Sequence, residues 1–140
     1  IREISGDILY LDPPYNSRQY ASNFHVLESI AVWDKQTLRG KTGLRDYEEQ
    51  KSDFSSKSKA SRALESIVSD AKFNFIALSY NNEGIIPQED ILEILREKGE
   101  VQVFSQEYRR FRTERDHAKR QYKDVADRTE EFLFLVRVIG

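Results

Sequence analysis

The chain contains no cysteine and no methionine, and only three prolines and one tryptophan in 140 residues. Without cysteine, disulfides and thiolate metal sites are excluded. No apolar run is long enough to read as a membrane-spanning helix. No charged-then-apolar leader reads as a secretory signal. The lack of an initiator methionine, with Ile1 only a few residues before a strand-like run, makes a piece of a longer polypeptide the expectation. A surplus of one charge sign is also missing. The formal net charge is −2, so nothing in the whole chain advertises nucleic acid. No spacing of His, Asp and Glu suggests a metal site. What remains is a chain with 33% charged and 39% hydrophobic residues, which suits one soluble globular domain with a modest core.

The charge is unevenly placed. Trp33 to Arg62 holds eight Lys or Arg against five Asp or Glu, and Glu107 to Arg128 holds the same eight against five. Basic stretches of this kind inside an acidic chain suit phosphate contacts along one rim, although mixed charge is also what a solvated loop carries.

The strongest signal is Asp12-Pro13-Pro14-Tyr15, directly after the apolar run Asp7–Leu11. A short apolar run bounded by turn residues reads as a buried strand. An acid, two rigid prolines and an aromatic then stand at a strand's carboxyl end, where open α/β sheets bind ligands. These residue types suit a planar base carrying an amino group. The lone pair of such an amine is delocalised into the ring, so it is a poor nucleophile. If a carboxylate accepts one N–H and a backbone carbonyl the other, the nitrogen is held toward a pyramidal state with its lone pair free. Asp12 can supply the carboxylate. Pro13, pushed out of the helical region by the proline after it, can supply the carbonyl. Neither Pro13 nor Pro14 has an N–H, so this stretch cannot donate to a sheet ladder. Tyr15 offers a face on which a base can stack.

Around this motif the pattern alternates. Phe24–Trp33 reads as a helix with Phe24, Leu27, Ile30 and Ala31 on one face, after a polar loop Asn16–Ser22. Lys35–Ser55 is a long polar connection, of the kind that is usually functional. Lys57–Ala71 is a second helix with Ala60, Ala63, Leu64, Ile67 and Val68 as its stripe. Phe73–Tyr80 is a strand followed by the turn cluster Asn81-Asn82-Glu83-Gly84. Pro87 opens a third helix, Gln88–Lys98, which Gly99 ends. Val101–Gln106 and Glu131–Ile139 are strands, with the charged segment Tyr108–Arg128 between them. Gly40-Lys41-Thr42 invites a nucleotide-loop reading, but Lys35 stands where the first glycine of that motif is required.

Four blocks carry a resemblance to a known family. Asp12 to Tyr20 reads DPPYNSRQY and His25 to Arg45 reads HVLESIAVWDKQTLRGKTGLR. Leu78 to Ile86 reads LSYNNEGII and Tyr108 to Phe111 reads YRRF. In kind and order these resemble segments of the D12-class DNA adenine amino-methyltransferases. The resemblance spans most of the chain, but only the carboxyl-terminal catalytic portion of such an enzyme. The family's glycine-containing cofactor loop and its target-recognition region have no counterpart in residues 1–140.

The resemblance implies an α/β fold: the second half of a Rossmann-like S-adenosylmethionine-dependent methyltransferase sheet, mostly parallel with a final antiparallel strand. It implies methyl transfer from S-adenosyl-L-methionine to the 6-amino group of an adenine flipped out of double-stranded DNA, in a restriction–modification system of the bacterial cytoplasm. Asp12, Pro13, Pro14 and Tyr15 are then catalytic. Asn16, Arg18, Tyr20, Tyr80, Asn81, Tyr108 and Phe111 are expected near the substrate. Arg109, Arg110, Lys41 and Arg45 are expected at the nucleic-acid backbone. Most of the cofactor site is expected outside this chain. Asp7–Asp12, a central strand in an intact enzyme, becomes an exposed edge here and invites self-association. An RNA adenine methyltransferase and a non-catalytic nucleic-acid-binding or assembly fragment remain open as alternatives.

Overall fold

A computed structural model describes residues 1–35, 37–41, 43–109 and 128–139. Four strands form one sheet: β1 (Ser5–Leu11), β2 (Lys72–Asn81), β3 (Gly99–Arg109) and β4 (Arg128–Val138), in the spatial order β1-β2-β4-β3. The helices are α1 (Tyr20–Asn23), α2 (His25–Val32), α3 (Ala60–Asp70) and α4 (Gln88–Arg96).

The α/β class agrees with the sequence reading, but a mostly parallel sheet does not. Among the described residues only β1 and β2 pair in parallel, while β4 runs antiparallel to both β2 and β3. The reason is where β4 lies. Strands β1, β2 and β3 all point one way, and β4 alone is reversed. Because β4 inserts between β2 and β3 instead of adding at an edge, its reversal makes two of the three pairings antiparallel.

The core lies on one face. Along β2 and β4 the side chains alternate, which sends Ile76, Leu78 and Tyr80, with Phe132, Phe134 and Val136, to the same side. The stripes of α3 (Ala60, Leu64, Val68) and α4 (Ile91, Leu95) close over them. Helix α4 carries Glu89 and Asp90 in its first turn and Arg96 in its last, which suits the helix dipole at both ends. Gly99 then starts β3 so close to its neighbour that an added Cβ would collide with the Arg137 carbonyl oxygen.

The other face is bare among the described residues. Ile8 and Tyr10 on β1 are 64% and 61% exposed, and Phe75, Phe104 and Leu133 are also exposed. The edge strand expected from the sequence is present, since among the described residues β1 pairs only with β2. The helix expected over Phe24–Trp33 is present as α2, and a short additional helix, α1, begins inside the stretch read as a polar loop. Phe24, Leu27 and Ile30 are all exposed. An apolar stripe reports where a helix is able to bury surface, and among the described residues nothing covers this one. Strand β3 runs three residues beyond the expected Gln106 because Glu107, Tyr108 and Arg109 continue in register with Glu130, Thr129 and Arg128. Register, not hydrophobicity, extends it.

Candidate active site

Chain direction gathers the sequence blocks on one rim of the sheet. Strands β1, β2 and β3 end there, and the antiparallel β4 begins there. Leu11 pairs with Leu78, so Asp12 leaves β1 level with Ser79 at the end of β2. Tyr108 pairs with Thr129, whose hydroxyl donates to the Asn82 side-chain oxygen at 2.9 Å. Asp12–Tyr15, Ser79–Asn82 and Tyr108 are thus collected at the carboxyl ends of the strands, where ligands bind in such sheets.

The motif itself is presented to solvent. Asp12 and Tyr15 are exposed, and Pro13 and Pro14 are half-buried beneath them. Asp12 has no ion-pair partner nearby that would occupy its carboxylate, among the contacts of the described residues. Tyr15 is held by its main chain, since its carbonyl accepts the Ile85 N–H at 3.0 Å. The loop after β2 therefore grips the motif after β1.

Downstream residues order the turn. The Asn16 side-chain oxygen accepts the Arg18 N–H at 2.9 Å, a local turn that explains an asparagine there. The Arg18 side chain is exposed, and its carbonyl accepts from the Ser55 hydroxyl at 3.4 Å. Tyr20 is exposed and meets the Phe24 ring edge-on at 6.0 Å. Gln19 makes a two-bond clasp on Ser52: its Nε2 donates to the Ser52 carbonyl at 3.1 Å and its Oε1 accepts the Ser52 N–H at 2.8 Å. The long polar connection is tied back to the motif in this way.

Other expected site residues lie elsewhere than at the surface. Tyr80 is 2% exposed and Asn81 7% exposed. The Tyr80 hydroxyl accepts the Ile86 N–H at 3.1 Å. Burial pushes this hydroxyl above its ordinary 10.0, against the lowering effect of the Ile86 and Ile85 amides, so it stays protonated. The Asn81 side-chain oxygen accepts the Glu83 N–H at 3.1 Å. Both side chains are engaged with the backbone of the loop after β2. Arg45, expected at a phosphate, is turned inward: it is 6% exposed, and Nη2 donates to Asp34 at 3.1 Å and Nη1 to the Ser29 hydroxyl at 3.4 Å. It pins the connection to α2. Lys41 remains exposed beside the Arg39–Leu44 bridge. Tyr108 is exposed on β3. Arg109 enters the sheet as the partner of Arg128, while Arg110 and Phe111 lie outside the described residues.

Reading the sequence missed Gln19, Ser52, Gly84 and Ile85. Gly84 carried a signal as the glycine of a turn cluster. Ile85 acts through its backbone N–H, and no side-chain pattern announces that.

A family model described as D12 class N6 adenine-specific DNA methyltransferase matches residues 1–94. Similar curated proteins include the type II methyltransferase M.NlaIII of Neisseria lactamica, 46% identical over 97% of this chain and 39% of that protein. The type II methyltransferase M.FokI of Planomicrobium okeanokoites is 39% identical, over 98% of this chain and 21% of that protein. The modification methylase StsI of Streptococcus sanguinis is 43% identical, over 98% and 20%. No solved structure matches. The chain belongs to the D12 class of N6 adenine-specific DNA methyltransferases. It spans between a fifth and two fifths of the length of these relatives.

Proposed function

We propose that this chain is the amine-binding portion of a longer enzyme, called here the parent enzyme. The parent enzyme methylates the 6-amino group of adenine in double-stranded DNA, as the modification half of a bacterial restriction–modification system in the cytoplasm. The observation that carries the reading is the exposed Asp12 at the carboxyl end of β1, on a motif whose Tyr15 carbonyl is fixed by the next strand's loop. An adenine amine cannot reach such a rim while stacked in a duplex, so the base is flipped out. Asp12 and the Pro13 carbonyl each accept one N–H of the amine, which frees its lone pair. Tyr15 stacks on the base. Arg18, Lys41 and Tyr108 are exposed and available to DNA, and Asn16 shapes the turn that presents Arg18.

S-adenosyl-L-methionine, when bound, supplies the methyl group. The residues present here fit only the amine side of that chemistry. The free edge of β1 and the bare face carrying Ile8 and Tyr10 are where the remaining cofactor-binding part of the parent enzyme would adjoin. In the isolated chain the same edge is where a second copy would pair.

Two results test this. The parent enzyme should incorporate methyl label into duplex DNA and not into RNA of the same sequence, and the 140-residue chain alone should incorporate none. Robust incorporation by the isolated chain would mean that the cofactor site is complete within it, contrary to this proposal. The role of Tyr15 is tested separately. In the parent enzyme Tyr15→Phe keeps the ring face and should retain most activity, whereas Tyr15→Ala should weaken capture of the flipped base by about 1–3 kcal/mol. A fluorescent adenine analogue at the target position, read beside activity, reports the extrusion. If Phe is as damaging as Ala, the hydroxyl and not the ring is what matters.

A further inference from the structure

The loop after β2 is tied to β4, to itself and, through Ile85, to the motif after β1. Asn82 anchors it to β4: its N–H donates to the Glu130 carbonyl at 3.0 Å, and its side-chain oxygen accepts from the Thr129 hydroxyl at 2.9 Å and the Glu130 N–H at 3.2 Å. The Gly84 N–H donates to the Asn81 carbonyl at 3.2 Å. Tyr80 closes the loop from below. Its ring lies against Gly84 so tightly that any added Cβ would collide with it, which restricts this position to glycine. Its buried hydroxyl accepts the Ile86 N–H at 3.1 Å, and one residue earlier the Ile85 N–H donates to the Tyr15 carbonyl at 3.0 Å.

From this arrangement we infer that Tyr80, packed on Gly84, is a positioning residue for methyl transfer: it sets the height of the Ile85 N–H, which in turn sets the backbone of Asp12–Tyr15. The inference rests on the proposed role of that motif in holding the amine. Tyr80 is buried and does not touch the base. A hydrogen bond to the hydroxyl of a buried ring fixes distance and angle together. Packing alone would let the loop slide along the ring face. Asp12 and the Pro13 carbonyl must meet two N–H groups of one amine at once, and a backbone shift of a fraction of an ångström misplaces both. A polar side chain retained in an otherwise apolar core row of Ile76, Leu78, Phe132 and Phe134 has its use here.

The test is Tyr80→Phe in the parent enzyme, which removes one oxygen and keeps the ring. Three quantities are read: the single-turnover rate of methyl transfer, the dissociation constant for DNA, and amide exchange in residues 82–86. The expected result is faster exchange in that loop and a single-turnover rate lower by about tenfold or more, with DNA affinity within about twofold. A merely structural role would lower the folded fraction and affect rate and binding together. Gly84→Ala, which displaces the ring from the other side, should reproduce the same split. Should Tyr80→Phe fold poorly, the same three quantities are read at a lower temperature where it is folded. A rate within about twofold of wild type, with loop exchange accelerated, overturns the positioning role and leaves the function standing. A folded wild-type parent enzyme that transfers no methyl group to DNA overturns the function, and the positioning role with it.

Discussion

Asp12→Ala in the parent enzyme is expected to lower the single-turnover rate of methyl transfer about a hundredfold or more, because losing one of two oriented acceptors releases the amine from its reactive geometry. The affinity for DNA should change little. Phosphate contacts supply most of that free energy, and a carboxylate at the rim, if anything, repels the backbone. Asp12→Asn should fall between, since an amide oxygen accepts the same bond without the charge. Single-turnover kinetics with saturating enzyme isolate the step. A rate that is unchanged in Asp12→Ala would remove this residue from the chemistry. A rate that falls only in proportion to DNA affinity would make Asp12 a binding residue.

Phe134→Ala should have the largest effect on stability, about 3–5 kcal/mol. Phe134 is fully buried at the centre of β4, which is itself an inner strand with neighbours on both sides. It packs beside Phe132 at 5.9 Å between ring centres and beneath the helix layer. A loss of that size takes a large share of the ~5–15 kcal/mol that usually holds a domain together. The neighbouring Leu133→Ala should cost about 1 kcal/mol or less in the isolated chain, because Leu133 points to the bare face and is 41% exposed. Urea denaturation of the two variants makes the comparison. Equal losses would mean that the bare face is packed in solution, by self-association or by a rearranged α2.

Element types followed from periodicity where apolar residues recur strongly. Helix α3 and strands β2 and β4 were legible because Leu64, Val68, Ile76, Leu78, Phe134 and Val136 fall at the spacing their elements demand. The sheet order was less legible. Whether a final strand adds at an edge or inserts between two others is decided by long-range packing, and the residues of β4 do not state which neighbours they will meet. The short helix α1 was not legible, because the polar residues of Tyr20–Asn23 carry no apolar stripe, and the stripe of α2 has no cover among the described residues. At the candidate site, the position of the motif was legible, since Asp12 follows β1 directly and stands exposed at its carboxyl end. Arg45 was not, because a basic residue in a charged stretch reads as exposed until Asp34 and Ser29 are seen around it. Nor was the Ile85 contact, because a backbone N–H belongs to every residue except proline and marks none of them.

The central claim is that the rim carrying Asp12 and Tyr15 presents an adenine amine for methylation. The most direct measurement is the identity of the methylated nucleoside after the parent enzyme acts on unmethylated duplex DNA, with Asp12→Ala as the control. Enzymatic digestion followed by mass spectrometry distinguishes the products. The account predicts 6-methyldeoxyadenosine from the wild type and almost none from Asp12→Ala. Methylcytosine, or equal amounts of product from both proteins, would contradict it.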